Sequence, residues 1–178
     1  AFTPKWGLGY SGSTMTYTDA PNAQERMNEF IDGCQKHDIL CDSFHLSSGY
    51  TSIGPKRYVF NWNHKRFPDP EKFFENMNAR GINVIPNLKP GILKHHPYID
   101  LFEKNDVFIK TPDGKAPYYG RWWGGEGRFF DFTGPNGRNT WKQLLEENIL
   151  KKGTKTVWND NCEYDSLMDK DCKIGRAS

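Results

Sequence analysis

Cysteine is sparse in this sequence, and no long apolar run appears. Four cysteines in 178 residues, Cys34, Cys41, Cys162 and Cys172, are too few for a disulfide scaffold. They show neither CxxC pairing nor zinc-like spacing. Cys34 and Cys41 sit among apolar residues and read as buried free thiols, a Cys162–Cys172 bridge stays open, and the compartment leans toward a reducing, cytoplasmic one. No stretch approaches the roughly 20 apolar residues that span a bilayer. No excess of one charge exists either: 24 Lys and Arg against 22 Asp and Glu leave +2, with the signs interspersed. Neither nucleic acid nor a membrane is therefore an expected partner. A leader and an initiating Met are missing, and the opening "AFTPKW" reads as an excised or processed segment. "GGEG" (124–127) lacks the spacing of a phosphate cradle, so no cofactor is expected. The "KHHP" histidines (94–97) lack acidic partners at ligand spacing and read as surface residues, so no metal is expected.

Aromatics, by contrast, are abundant: 12 Phe, 8 Tyr and 6 Trp make 15% of the chain. That surplus suits a core, a pocket lining or an interface.

Periodicity gives alternating elements. "PKWGLGY" (4–10) reads as a strand, followed by a helix over 19–38 with Asp19 or Asn22 as cap. Ala23, Met27, Phe30, Ile31 and Cys34 share its apolar face. Strands are expected at 39–46, as an excursion at 58–62, and at 82–88, where Pro86 counts against a ladder position. A helix over 68–81 has Asp69 at its cap, Pro70 at its first position, an apolar face of Phe73, Phe74 and Met77, and Gly81 beyond its end. An insert over 89–128 holds a short helix near 98–104 and a hairpin around "TPDG" (111–114). A strand-like start at 129 leads into a helix that Pro135 and Asn136 open, Trp141, Leu144, Leu145 and Ile149 face inward, and Gly153 ends. A fourth strand covers 154–160. Strands near 5, 40, 82 and 154 alternating with helices specify an α/β fold with a parallel sheet.

In such folds functional groups gather at the carboxyl ends of strands. Those ends supply Tyr10, His45 with Ser47 and Ser48, Asn87 with Lys89, and Asn159 with Asp160. The aromatic, glycine-rich "YYGRWWGGEGRFFDF" (118–132) belongs to the insert. A carboxylate among Trp and Tyr planes suits a sugar site, because sugar C–H faces stack on rings and a carboxylate stabilises an oxocarbenium ion. The competing reading is a solvated acidic loop beside a Trp-rich core. Asp42 reads as a satisfied buried acid or a site member, and Asp131 as a brace for the following helix.

"WNDNCE" (158–163) resembles the nucleophile signature W-x-D-M-N-E of glycoside hydrolase family 31. "FPDPEKFFENMNARGINVIPNLKP" (67–90) is similar to that family's second helix and third strand. "WWGGEGRFFDFTGPNGRNTW" (122–141) resembles its tryptophan-glycine loop with D-F-T-x-P and the next helix, and "PKWGLGYSGS" (4–13) its first barrel strand. The resemblance spans nearly the whole chain and implies a (β/α)8 TIM barrel, of which residues 1–178 would hold about the first four β/α units.

The implied activity is that of a retaining α-glycosidase acting on an oligosaccharide or α-glycoside. Asp160 would be the nucleophile; Trp158, Trp122, Trp123, His45 and Lys89 would bind substrate, and Glu163 and Asn159 would support the nucleophile. The acid/base lies later in the family's barrel, so a fragment needing the remainder of the same parent protein is expected, inactive when isolated.

Three departures from the family pattern stand out. "LSSGY" (46–50) replaces D-x-D-Y after the second strand, Lys89-Pro90 replaces Asp-Pro after the third, and Asn161 and Cys162 replace Met and Asn after the nucleophile. Lys89 would then contact a sugar oxygen, pair with an acid, or be solvated. The alternatives are a relative acting on a non-glucose α-sugar, a transglycosylase, or a non-catalytic carbohydrate-binding homologue.

Overall fold

Pro4 and two glycines decide how the chain begins. Lys5–Leu8 wind into a 3-10 turn, in which Gly7 N–H donates to Pro4 O at 2.9 Å and Gly9 N–H to Trp6 O at 3.3 Å. The strand expected at 4–10 therefore starts only at Ser11, and Tyr10 stands exposed at its amino end, not its carboxyl end. The structure, a computed structural model, describes residues 2–162; Glu163, Asp165 and Cys172 lie outside the described residues.

In chain order the elements are β1 (Ser11–Ser13), α1 (Met15–Thr18), α2 (Ala23–Lys36), β2 (Ser43–Leu46), a 3-10 turn (Ser48–Thr51), β3 (Ser52–Ile53), β4 (Lys56–Arg57), α3 (Pro70–Ala79) and β5 (Asn83–Leu88). Then follow β6 (Gly91–Leu93), α4 (Ile99–Lys104), β7 (Gly120–Trp122), β8 (Gly125–Phe129), α5 (Pro135–Asn148), a 3-10 turn (Leu150–Lys152) and β9 (Trp158–Asn159). The described residues form two compact units: residues 2–88 with 147–158, and residues 89–146 with 159–162.

The first unit carries a sheet in the order β1-β2-β5-β9. β1 runs parallel to β2 with Ser13 opposite His45, and β2 parallel to β5 with Ser43 opposite Asn83. Helices connect these strands, as the alternation of periods requires. Pro86 is tolerated inside β5 because it faces Leu46, the last residue of β2, where that ladder ends. Gly12 is required in β1, since a Cβ there would come within 2.7 Å of the Phe44 ring and 2.8 Å of the Phe30 ring.

α3 follows its sequence signals closely. Asp69 accepts the Lys72 N–H at 2.9 Å, Pro70 opens the helix, Phe73, Phe74 and Met77 are buried, and Gly81 takes the left-handed φ of +77°. α2 buries Ala23, Met27, Ile31 and Cys34 at helical spacing. Asn22 takes its N-cap position, without a capping hydrogen bond from its side chain. Asn22 donates to Glu25 at 3.0 Å, while Asp19 ends α1 and receives Arg57 at 2.5 Å and Arg66 at 2.8 Å. β2 is shorter than the run 39–46: Ile39 and Leu40 are exposed, and Asp42 lies at its amino end, the wrong end for a strand-terminal site. Residues 58–62 are no strand. Phe60 has φ +68°, and Val59, Phe60 and Trp62 are buried through turns, with the Trp62 indole donating to Asn148 O at 2.8 Å. Cys34 is buried as expected. Cys41 is only half-buried; its thiol donates to Ser43 O at 3.4 Å, and partial burial pushes its pKa up.

In the second unit β6, β8 and β7 form an antiparallel sheet in that order. The strand-like start at 129 is the end of β8, in this sheet and not the parallel one. The "TPDG" turn bends as expected, with Gly114 at φ +75° and Lys110 bridged to Pro117. Asp131 braces the start of α5, accepting from the Thr133 N–H at 2.9 Å and its hydroxyl at 2.6 Å. His96 is buried rather than on the surface. Its Nδ1 accepts the Tyr98 N–H at 3.1 Å, and its ring packs 5.0 Å from that of Phe102.

Tyr50 joins the turn after β2 to β5. Fully buried, it donates its hydroxyl to Asn87 O at 2.7 Å, and burial raises its pKa far above 10. The folded state thus holds the phenolic proton more tightly than the unfolded chain. Stability from this group is complete below about pH 10 and falls above it. Urea unfolding should show a midpoint that declines above about pH 10, a decline that Tyr50→Phe weakens, while at pH 7 that variant costs about 1 kcal/mol for the lost bond. A variant with the same alkaline slope as the parent protein would refute the assignment.

Candidate active site

The second unit begins just after β5, at Lys89, and the chain re-enters it at Asn159, the last residue of β9, with Asp160 next. Lys89 is buried, 7% exposed. Its ammonium cannot stand there without acceptors, since burying a charge costs far more than burying a neutral group. Among the described residues, three groups surround it. Nζ donates to Asp160 Oδ2 and to Asn161 Oδ1, and it lies 4.6 Å from the centroid of the Trp123 ring, within cation–π range. Lys89 is therefore paired with an acid, and the solvated alternative is set aside.

Asp160 is held at both oxygens. Oδ2 receives Lys89, and Oδ1 accepts the backbone N–H of Asn161 at 3.0 Å. Asn161 provides this by adopting φ +48°, a left-handed conformation that asparagine tolerates better than most residues. Its carbonyl in turn accepts the Trp122 indole N–H at 3.2 Å. Asp160 keeps a quarter of its side chain open to solvent, at 27%.

Trp122 ends β7 and is 5% exposed, whereas Trp123 is 52% exposed. Their rings meet edge to face, with centroids 6.2 Å apart. Two glycines make the slot for Trp122: a Cβ on Gly91 or on Gly124 would come within 2.2 Å of its ring. Gly91 and Gly124 thus make room for a buried indole whose N–H reaches the Asn161 carbonyl.

The structure brings together Lys89, Trp122, Trp123, Asp160 and Asn161. Of these, Asn161 is marked in the sequence only as a departure from the motif and not as a site residue, and nothing in the pattern reveals the sign of its φ. His45 and Trp158 come together in the first unit. The His45 ring stands edge-on to Trp158 at 5.4 Å, and its Nδ1 shares a hydrogen with the Ser11 hydroxyl at 2.7 Å. Asn159 is exposed. Glu163 lies outside the described residues. Among the described residues, no cluster of three His, Cys, Asp or Glu could hold a metal. Ser47 and Ser48 are buried after β2, where the Ser48 carbonyl accepts the Thr51 hydroxyl at 2.9 Å.

The strands and helices follow the order of a parallel β/α barrel, and Asp160 comes directly after strand β9. Comparison with known families agrees: residues 1–177 match the model of the glycosyl hydrolases family 31 TIM-barrel domain, and the chain belongs to that family. It is 29% identical over 176 residues to alpha-glucosidase 2 of Bacillus thermoamyloliquefaciens, covering 96% of this chain and 21% of that protein. It is 31% identical over 132 residues to the alpha-xylosidase XylQ of Lactiplantibacillus pentosus, covering 74% and 17%. Among solved structures, a family 31 alpha-xylosidase from a soil metagenome, complexed with xylose, superposes with a TM-score of 0.77 at 16% identity, covering 96% of this chain and 24% of that one. The chain spans about a fifth of the length of the curated relatives it matches. Its fold class is the (β/α)8 TIM barrel of this family.

The glycine slot makes a direct prediction. Gly91→Ala should displace Trp122 and cost about 1–3 kcal/mol by overpacking, read as a lower urea midpoint together with changed tryptophan fluorescence. An unchanged midpoint and spectrum would show that the slot has room to spare.

Proposed function

We propose that this chain supplies the nucleophile side of a retaining α-glycoside hydrolase site, acting on an oligosaccharide or other α-glycoside. The observation that carries the reading is Asp160: a strand-end carboxylate, fixed at both oxygens, partly open to solvent, in a chain of family 31. A carboxylate so aimed is preorganised to attack an anomeric carbon and to stabilise positive charge there.

In this reading an Asp160 oxygen attacks the anomeric carbon while the bond to the leaving oxygen breaks. That oxygen takes its proton from a second carboxyl group. The same group then removes a proton from water, which attacks the anomeric carbon and releases Asp160 as the free carboxylate. Retaining chemistry places the two carboxyl groups roughly 5–5.5 Å apart. The relatives extend far beyond the matched region, and the remainder of the barrel in the same parent protein is the proposed source of the acid/base. The half-exposed Trp123 offers an indole to the sugar.

The likeness to an alpha-xylosidase and the altered "LSSGY" and Lys89-Pro90 segments favour a second reading at the level of substrate, an α-sugar other than glucose. A carbohydrate-binding homologue without turnover is the rival that the test must exclude.

The test uses the protein that carries this chain, incubated with cyclophellitol-type or fluoro-glycoside traps of gluco, xylo and galacto configuration. The expected adduct lies on the peptide containing Asp160, and Asp160→Asn should lower turnover of an aryl α-glycoside by at least about 1,000-fold, since the covalent step is lost. An adduct elsewhere, or full activity in that variant, would overturn the nucleophile assignment. Binding of all probes without adduct or turnover would establish the non-catalytic rival.

A further inference from the structure

Two of the departures from the family pattern meet in space. Lys89 stands where the pattern has aspartate after the third strand, and Asn161 where it has methionine after the nucleophile. They are 72 positions apart, and the Lys89 ammonium donates to the Asn161 side-chain oxygen. Both also touch Asp160, one at each carboxylate oxygen. Either change alone makes poor chemistry. Lysine without Asn161 would lose a neutral acceptor in a buried place. Asn161 without lysine would leave its side-chain oxygen without that donor while its backbone still held the left-handed conformation.

We infer that Lys89 and Asn161 act as one positioning unit for Asp160, the ammonium fixing Oδ2 and the Asn161 backbone N–H fixing Oδ1, so that the carboxylate is held in a single orientation. This rests on the reading of Asp160 as nucleophile. It also explains why the ammonium has three partners rather than one. When Asp160 forms an ester with the sugar it loses its negative charge, and Lys89 would then lose the carboxylate that pairs with it among the described residues. The Asn161 oxygen and the Trp123 ring face remain to hold it through that state. The unit therefore has one partner whose charge changes during the reaction and two whose charge does not.

The experiment is a double-mutant cycle in the protein that carries this chain, measured on an aryl α-glycoside over a range of pH. Lys89→Met should lower kcat by about 100-fold with KM nearly unchanged, the effect of a misplaced reacting group. Lys89→Arg should recover part of that loss, because its guanidinium can still reach a carboxylate. Asn161→Ala should lower kcat less, and adding it to Lys89→Met should cost almost nothing more. The acidic limb of the kcat–pH profile should move in Lys89→Met and stay in place in Lys89→Arg, a change that loss of packing alone does not cause.

Circular dichroism and thermal unfolding accompany each variant, and Lys89→Gln replaces Lys89→Met if the latter does not fold. Independent, additive losses from the two positions would overturn the coupling. Full activity in the Lys89 variants alongside an inactive Asp160→Asn would overturn the positioning role and leave the nucleophile standing. Activity surviving in Asp160→Asn would instead remove the nucleophile, and this inference with it.

Discussion

A buried ammonium is the constraint around which the second unit is organised. Lys89 could be placed in that interior only if acceptors met it there, because an unpaired buried cation costs several kcal/mol even after relaxation. The acceptors come from distant parts of the chain: a carboxylate and an amide from the residues after β9, and an aromatic face from the turn between β7 and β8. Each is delivered by its own backbone device. Asp160 follows directly on a strand, Asn161 turns with positive φ, and Trp123 is carried beside an indole that two glycines admit. The pair is only partly shielded, with 8% of the Lys89 side chain and 27% of the Asp160 side chain exposed. Its value lies in fixing geometry more than in stability, as is usual for ion pairs whose desolvation offsets their attraction.

The helices were legible because their signals are local. Asp69, Pro70, three apolar residues at helical spacing and Gly81 specify α3 without help from the rest of the chain, and the structure uses each of them. Strands were less legible because their limits depend on partners. β1 begins only where Ser11 can pair with Ser43, and the apolar Ile39 and Leu40 are exposed since no ladder reaches them. The antiparallel sheet of the insert escaped a periodic reading because β6, β7 and β8 are short and rich in glycine, which carries no side-chain pattern. The 58–62 run misled for the opposite reason: its aromatics are buried, as strand residues would be, yet by turns that fold them against α3 and its neighbours.

At the site, the strand-end position of Asp160 could be read from the sequence because it needs only the strand and its end. The state of Lys89 could not. A lysine after a strand is ordinarily solvated, and its burial depends on a carboxylate 71 positions away. His96 shows the same limit: beside an exposed His95 it looked like a surface residue, but a backbone N–H and two aromatic rings enclose it.

Under the proposed reading, exchanging the family's aspartate for Lys89 changes what the site asks of a sugar. Two carboxylates side by side would be doubly negative, whereas a carboxylate paired with an ammonium is neutral. A developing oxocarbenium ion then gains less from the surrounding field and more from direct contact with Asp160, so the aim of that one carboxylate matters more. The hydrogen-bond polarity reverses as well. An aspartate accepts a hydrogen bond from a sugar hydroxyl, but an ammonium has three donors and no acceptor, so any sugar oxygen it meets must accept. A hydroxyl can rotate to do either, and a ring or ether oxygen can only accept. Under that reading, selection at this position would fall on where the sugar places its oxygens rather than on whether they carry hydrogen.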